Sequence, residues 1–190
     1  MSAWVFGSSS DYSIAVGKRL KDTLYWGRNN VDYTDFDSFI ENKQLPDQIF
    51  INIGVEEQLS LSAFALKIDW TEMFTNYMKT QYFVYRLFQH LHANADKNIT
   101  VGLVTSSITV WPQEYPEHVS YAVLRAIGQT IALAFANEHL RVIPMSPNGI
   151  TAERLEEYAD RTVAHINKGE HIQGIIDLDD NKIFRYESNI

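Results

Sequence analysis

Four residues in the middle of this chain have the types and spacing needed to handle a proton and a carbonyl oxygen. Tyr121 and Arg125 stand four apart, so on a helix they share a face. A guanidinium beside a phenol favours the phenolate and lowers its pKa from the usual value of about 10. Such a phenol is a better general acid or base near neutrality. No charged residue lies between Arg125 and Glu138, so Arg125 starts a long uncharged stretch. Ser107 precedes Tyr121 by 14 positions, just after an apolar run, where its hydroxyl can donate to a carbonyl oxygen. Asn76 sits inside a long apolar-periodic segment although asparagine is a poor helix former. Its amide can organise a water or a backbone carbonyl. The same residues also fit a plain structural role, with Tyr121 packed by its ring and Arg125 paired with a carboxylate.

A second constellation opens the chain. The apolar run Ala3–Phe6 ends at Gly7-Ser8-Ser9-Ser10-Asp11-Tyr12-Ser13-Ile14-Ala15. A glycine permits a tight turn, and helix-start amides with serine hydroxyls can hold a diphosphate. With Gly7 the sole glycine in it, the segment also reads as a serine-rich turn with a helix cap. In a dinucleotide fold the residue that reads the ribose comes some twenty positions later, an acid there favouring NAD and an arginine NADP. Gly27-Arg28-Asn29-Asn30 stands at that place without an acid, so Arg28, if more than a surface arginine, tilts the expectation to NADP(H) over NAD(H).

These residues need a scaffold, and the chain supplies an alternation of short apolar runs and amphipathic segments. Strands are predicted at Ala3–Phe6, Leu24–Trp26, Val31–Tyr33, Gln48–Ile53, Ile99–Val104, Arg141–Met145, Gln173–Leu178 and Lys182–Tyr186. Helices are predicted at Ser13–Leu24, Asp35–Lys43, Trp70–Leu91, Tyr121–Asn137 and Thr151–Asn167. Strands separated by helices imply an α/β fold: a doubly wound, mostly parallel sheet with helices on both faces, hence three layers, α/β/α. Ligands in such sheets sit beyond the carboxyl ends of the strands. The 190 residues suit one domain spanning 1–190, and 45% hydrophobic with 21% charged residues is ordinary globular composition. With 16 Lys+Arg against 24 Asp+Glu the net charge is −8, which argues against nucleic acid or an anionic membrane as partner. The absence of cysteine excludes a disulfide scaffold, a thiolate nucleophile and a cysteine-ligated metal. The six histidines form no H-E-x-x-H pattern, and neither G-x-x-x-x-G-K-[ST] nor G-x-S-x-G occurs. No metal is expected, and the N-terminal residues do not read as a secretory leader. A cytoplasmic protein is the expectation.

Together these elements resemble the short-chain dehydrogenase/reductase family, in family order and over almost the whole chain. The resemblance is carried by Gly7–Ala15, Asp32-Tyr33-Thr34-Asp35, Ile51-Asn52-Ile53-Gly54, Met73-Phe74-Thr75-Asn76, Val104-Thr105-Ser106-Ser107, Ser120–Ala126 and Arg141–Ile150. The spacing Gly7-x5-Ser13-Ile14-Ala15 is similar to the divergent branch containing enoyl-acyl-carrier-protein reductases. The resemblance implies a Rossmann-like sheet, a nicotinamide dinucleotide and hydride transfer to or from a small carbonyl or alcohol. Tyr121 would then be the proton donor, Ser107 would hold the substrate oxygen and Asn76 would support a proton relay. Gly7, Ser13, Ile14, Asn52 and Gly54 would line the cofactor with Tyr121 and Arg125, and Asp32 would reach the adenine. The chain departs from the family in having Arg125 where a lysine is usual, one helix fewer after the second strand, and no room for a substrate lid after Pro147. These departures keep open a catalytically inactive, cofactor-binding or assembly module. The helices 70–91 and 121–137 are apolar on more than one side, so Tyr82, Tyr85 and Phe88 are expected to be buried in a homodimer or homotetramer.

Overall fold

The computed structural model of this protein describes residues 1–52, 70–105, 130–147, 150–170, 172 and 174–185, without the side chains of 70–78, 184 and 185. Among these residues seven strands form one sheet: β1 (Ala3–Phe6), β2 (Thr23–Trp26), β3 (Gln48–Ile51), β4 (Ile99–Val104), β5 (Leu140–Ser146), β6 (Gly174–Asp177) and β7 (Lys182–Arg185), in the order β2-β1-β3-β4-β5-β6-β7. All neighbours are parallel except β7, which folds back antiparallel on β6. The intervening helices are α1 (Asp11–Gly17), α2 (Phe36–Ile40), α3 (Trp70–Asn94), α4 (helical over 130–135) and α5 (Leu155–Lys168).

Side chains alternate across each strand, and the central strands are covered on both faces, so they are largely apolar. Trp4 and Phe6 of β1, Ile49 and Ile51 of β3, Val101 and Leu103 of β4 and Val142 of β5 point to one face. There they meet Phe36 and Phe39 of α2, Phe83, Val84, Leu87, Phe88 and Leu91 of α3, and Ile131 and Ala132 of α4. Ala3, Val5, Phe50, Ile143 and Met145 point to the other face, against α1 and α5. This is the three-layer, mostly parallel α/β/α arrangement expected from the alternation of runs.

Several boundaries differ from expectation. The first helix stops at Gly17 rather than continuing to Leu24, because the Tyr25 ring packs where a Gly17 side chain would stand. Asp22 then turns the chain with a positive φ of 46°, and the Thr23 hydroxyl donates to the Gly17 carbonyl. Leu24, read as the last apolar position of that helix, lies on the edge strand β2 and is exposed. Val31–Tyr33 is not a strand. The Val31 amide closes onto the Gly27 carbonyl, and Asp32 accepts from the Thr34 amide at 2.8 Å, a side-chain turn that competes with extended pairing. Phe88, expected at a subunit interface, is fully buried in the protein's own core, whereas Tyr82 and Tyr85 are exposed. Of the second apolar helix, 130–135 is described and helical, and the chain leaves the helix at Ala136. Among the described residues no helix is long and apolar enough to cross a membrane.

Aromatic rings knit α2 and α3 onto the strands. Phe39 stands edge-on to Trp4 at 5.8 Å and to Trp26 at 5.2 Å, and Phe83 meets Phe6, Tyr33, Phe36 and Phe39. Such edge-to-face pairs add about 0.5–1.5 kcal/mol each beyond burial. On the opposite face Arg19 joins α1 to α5 through Glu156 and Asp160, both at 2.6 Å. Phe88→Ala is expected to lower stability in a urea melt by about 3–5 kcal/mol, with a midpoint shift that does not depend on protein concentration. A near-neutral change, or one that appears only on dilution, would show that Phe88 is buried by another subunit.

Candidate functional site

The strand order reverses at β1: the chain leaves β1 for β2 on one side and returns to β3 on the other. The connections after β1 and β3 therefore run in opposite directions, which opens a crevice at the carboxyl edge of the sheet. Gly7 follows β1 and Asn52 follows β3, so both stand at that switch point.

Gly7 has φ +88°, a conformation that L side chains rarely adopt. A Cβ built on it would lie 2.1 Å from the Asn52 carbonyl oxygen, so glycine is required here twice over, by dihedral and by space. The Gly7 amide donates to the Trp26 carbonyl at 2.9 Å and the Ser8 amide to the same oxygen at 3.3 Å, which ties the turn to the end of β2. The Ser8 side chain lies over Gly27, whose own Cβ would come 2.2 Å from the Ser8 hydroxyl. On the other flank the Asn52 side-chain amide donates to the Ser13 hydroxyl at 3.0 Å and the Ser10 hydroxyl at 3.2 Å.

The serines do not act as a simple helix cap. Ser10 occupies the N-cap position with extended backbone (φ −90°, ψ 130°), but its side chain makes no cap bond and accepts from Asn52 instead. Ser13 is fully buried and Ile14 half-buried in the first turn of α1. The segment thus offers backbone amides and hydroxyls, with Asp11 as its one acid, exposed in the first turn. A diphosphate only accepts hydrogen bonds, so this donor set fits one.

Beyond β2 the chain makes a turn in which Asn30 receives the Gly27 amide at 2.7 Å and donates to the Tyr25 carbonyl at 2.8 Å. Arg28 is exposed at the tip of that turn, and Asp32 is exposed just beyond it. The Thr34 hydroxyl and amide, both donating to Asp32, hold its carboxyl below the usual carboxylate range. Asp35, the last residue of the Asp32–Asp35 segment, caps α2 by accepting from the Ser38 amide. The indole N–H of Trp26, at the end of β2, is buried and has no hydrogen-bond partner among the described residues. Its ring stands edge-on to Phe39, and the Lys43 ammonium lies 5.5 Å from its centroid.

The structure thus brings Gly7, Ser13, Ile14 and Asn52 together at the switch point, with Arg28 and Asp32 on the loop that follows the neighbouring strand. Asn76 falls within α3, and its side chain lies outside the described residues. Gly54, Ser107, Tyr121 and Arg125 also lie outside them. Sequence reading singled out both Asn52 and Ser13 but missed the bond between them, the second partner Ser10, and the packing of Ser8 on Gly27. Those partners are 42 and 39 residues away in the chain, and no local pattern announces them.

Comparison with known proteins bears on the same architecture. Neither a family model nor a curated protein matches the sequence. Solved structures do match. A carbonyl reductase from Pseudomonas aeruginosa PAO1 in complex with NADP superposes with a TM-score of 0.71 at 15% identity, over 97% of this chain and 99% of that one. A short-chain dehydrogenase/reductase family oxidoreductase from Brucella ovis, in complex with a partially ordered NAD, gives 0.65 at 18% identity, over 93% and 98%. A short-chain dehydrogenase/reductase from Vibrio parahaemolyticus gives 0.60 at 14% identity, over 83% and 89%. The chain has the fold of these proteins, a Rossmann-like sheet, with the likeness to the first two running nearly end to end.

The two glycines of the crevice are expected to tolerate substitution differently. Gly7→Ala should destabilise by about 1–3 kcal/mol from backbone strain alone, because the atom in its way is main chain. Gly27→Ala meets only the end of a serine side chain, so Ser8→Ala should rescue it. Urea melts of Gly7→Ala, Gly27→Ala and the Gly27→Ala/Ser8→Ala pair check this. Equal losses in the two single variants would show that the turn is not wedged against β3.

Proposed function

We propose that this chain is a divergent short-chain dehydrogenase/reductase that moves hydride between a nicotinamide dinucleotide and a small carbonyl or alcohol. The observation that carries the reading is the left-handed turn at Gly7, wedged at the switch point of a sheet shared with an NADP-bound carbonyl reductase. In this reading the turn after Gly7, through the first amides of α1 and the Ser10 hydroxyl, holds the diphosphate, and Asn52 and Gly54 line the crevice beside it. When bound, the nicotinamide supplies or takes up the hydride.

The chain's own residues supply the rest. The Tyr121 hydroxyl gives its proton to the substrate oxygen in reduction and takes it back in oxidation. Arg125, four residues further on, keeps the phenolate accessible by its charge. It stands where the family has lysine, and a planar guanidinium meets ribose hydroxyls differently from an ammonium. Ser107 donates to the substrate oxygen, and Asn76, on α3, supports the proton relay. Arg28, exposed after β2, is assigned to the ribose phosphate of NADP(H), which is preferred to NAD(H), and Asp32 to the adenine. The cytoplasm is the setting that fits such a cofactor.

A homodimer or homotetramer also belongs to this reading. Tyr82 and Tyr85 of α3 and Leu133 of α4 are 59%, 42% and 66% exposed, and Tyr85 meets Phe135 ring to ring at 5.4 Å. The apolar surface therefore runs from one helix to the other, a face suited to the same face of another copy.

Two measurements test the reading. NADPH should raise the thermal midpoint and be oxidised with members of a broad carbonyl panel. Tyr121→Phe should lower turnover by at least about 100-fold while leaving NADPH binding nearly intact. Binding without oxidation across the panel, or full activity in Tyr121→Phe, would contradict it. Light scattering at micromolar concentration should give a dimer or tetramer, and a clean monomer would remove the proposed interface.

A further inference from the structure

The Asn52 side chain, beside the crevice, is turned towards the loop after β1. It reaches from the end of β3 to two hydroxyls of the turn after β1, Ser10 at 3.2 Å and Ser13 at 3.0 Å. A primary amide NH₂ has two hydrogens and no acceptor capacity, whereas a hydroxyl has one hydrogen and two lone pairs. Both serine oxygens therefore accept from Asn52, and neither can spend its hydrogen there. Ser10 is half-buried at the mouth of the turn and makes no cap bond with α1. Its hydroxyl hydrogen is thus directed away from Asn52, available to an acceptor arriving from the crevice.

We infer that Asn52 is a positioning residue for dinucleotide binding that acts through Ser10 and Ser13. It leaves the half-buried Ser10 hydroxyl free to donate towards the crevice, and through the fully buried Ser13 it anchors the shape of a turn that has one glycine. This inference rests on the reading of the crevice as a nicotinamide-dinucleotide site. It goes beyond that reading in assigning a polarity to the turn and naming the residue that imposes it. The backbone of Asn52 acts in the same direction. Its amide continues the β1–β3 ladder by donating to the Phe6 carbonyl at 3.2 Å, and its carbonyl is the surface against which Gly7 must turn. One residue therefore sets both the dihedral of the turn and the direction of its hydroxyls.

The test is a thermodynamic cycle on the full chain, read as the Kd for NADPH by nicotinamide fluorescence, with thermal midpoints recorded without nucleotide. Asn52→Ala and Ser10→Ala/Ser13→Ala should each weaken binding by about tenfold. Because Asn52 acts through the serines, the triple variant should be no more than about threefold weaker than Ser10→Ala/Ser13→Ala. The nearly isosteric Asn52→Asp gives a second readout. Its carboxylate accepts and draws the serine hydrogens inward, so NADPH binding relative to wild type should be about tenfold weaker at pH 8. That deficit should shrink only as the pH falls towards about 4, where an ordinary aspartate gains a proton and can donate again. Multiplicative losses in the cycle, or a pH-independent Asn52→Asp deficit, would overturn the inference while leaving the dinucleotide site standing. Failure of the wild-type chain to bind NADPH or NADH at about 1 mM would overturn both.

Discussion

The carboxyl edge of this protein depends on one backbone constraint: at Gly7 the chain must turn left-handed with the Asn52 carbonyl directly in the path of any side chain. That turn lets the residues after β1 pass between the ends of β2 and β3 without a clash. It is held on one flank by the Trp26 carbonyl and on the other by the Asn52 amide. A turn with one glycine has less backbone freedom to lose on ordering than a glycine-rich one. Here cross-chain hydrogen bonds to the Trp26 carbonyl and from the Asn52 amide hold it in place. The arrangement presents the half-buried Ser10 hydroxyl at the crevice and keeps Ser13 as a buried anchor beneath it.

The sheet beneath makes that constraint affordable. Each of its central strands is buried on both faces, with a ring-rich layer against α2 and α3 and a layer of mixed aliphatic and aromatic side chains against α1 and α5. The ring-rich layer also reaches the edge: Trp26, the residue that receives the Gly7 amide, is packed by Trp4 and Phe39. The position of the Trp26 carbonyl is thus set by ring packing on the far side of the strand. Stability of the core and geometry of the crevice are coupled through β2, although β2 is a short edge strand with Leu24 exposed.

Much of this was legible in the sequence, for identifiable reasons. Strands buried on both faces are continuous apolar runs, so β1, β3, β4 and β5 could be read directly, and the alternation with helices led to a parallel sheet and to its carboxyl edge. The misreadings arose where local and tertiary signals conflict. Val16, Leu20 and Leu24 have helical spacing, yet the Tyr25 ring takes the space beside Gly17 and Asp22 reverses the backbone. Val31–Tyr33 has strand composition, but Asp32 finds a nearer partner in Thr34. Phe88 belongs to a helix with more apolar residues than one face needs, and periodicity alone could not say which of Tyr82, Tyr85 and Phe88 faces inward. The Asn52–Ser13 contact could not have been found locally, since nothing in either residue's neighbourhood encodes a partner 39 positions away.

The most direct test of the account is a crystal structure of the chain grown with NADP. The account predicts diphosphate density within hydrogen-bond reach of the first amides of α1 and the Ser10 hydroxyl, the adenine towards Arg28 and Asp32, and the nicotinamide beside Tyr121. Nucleotide density at the opposite edge of the sheet, near Asp47 and Lys97, or a Tyr121 hydroxyl remote from the nicotinamide, would contradict it.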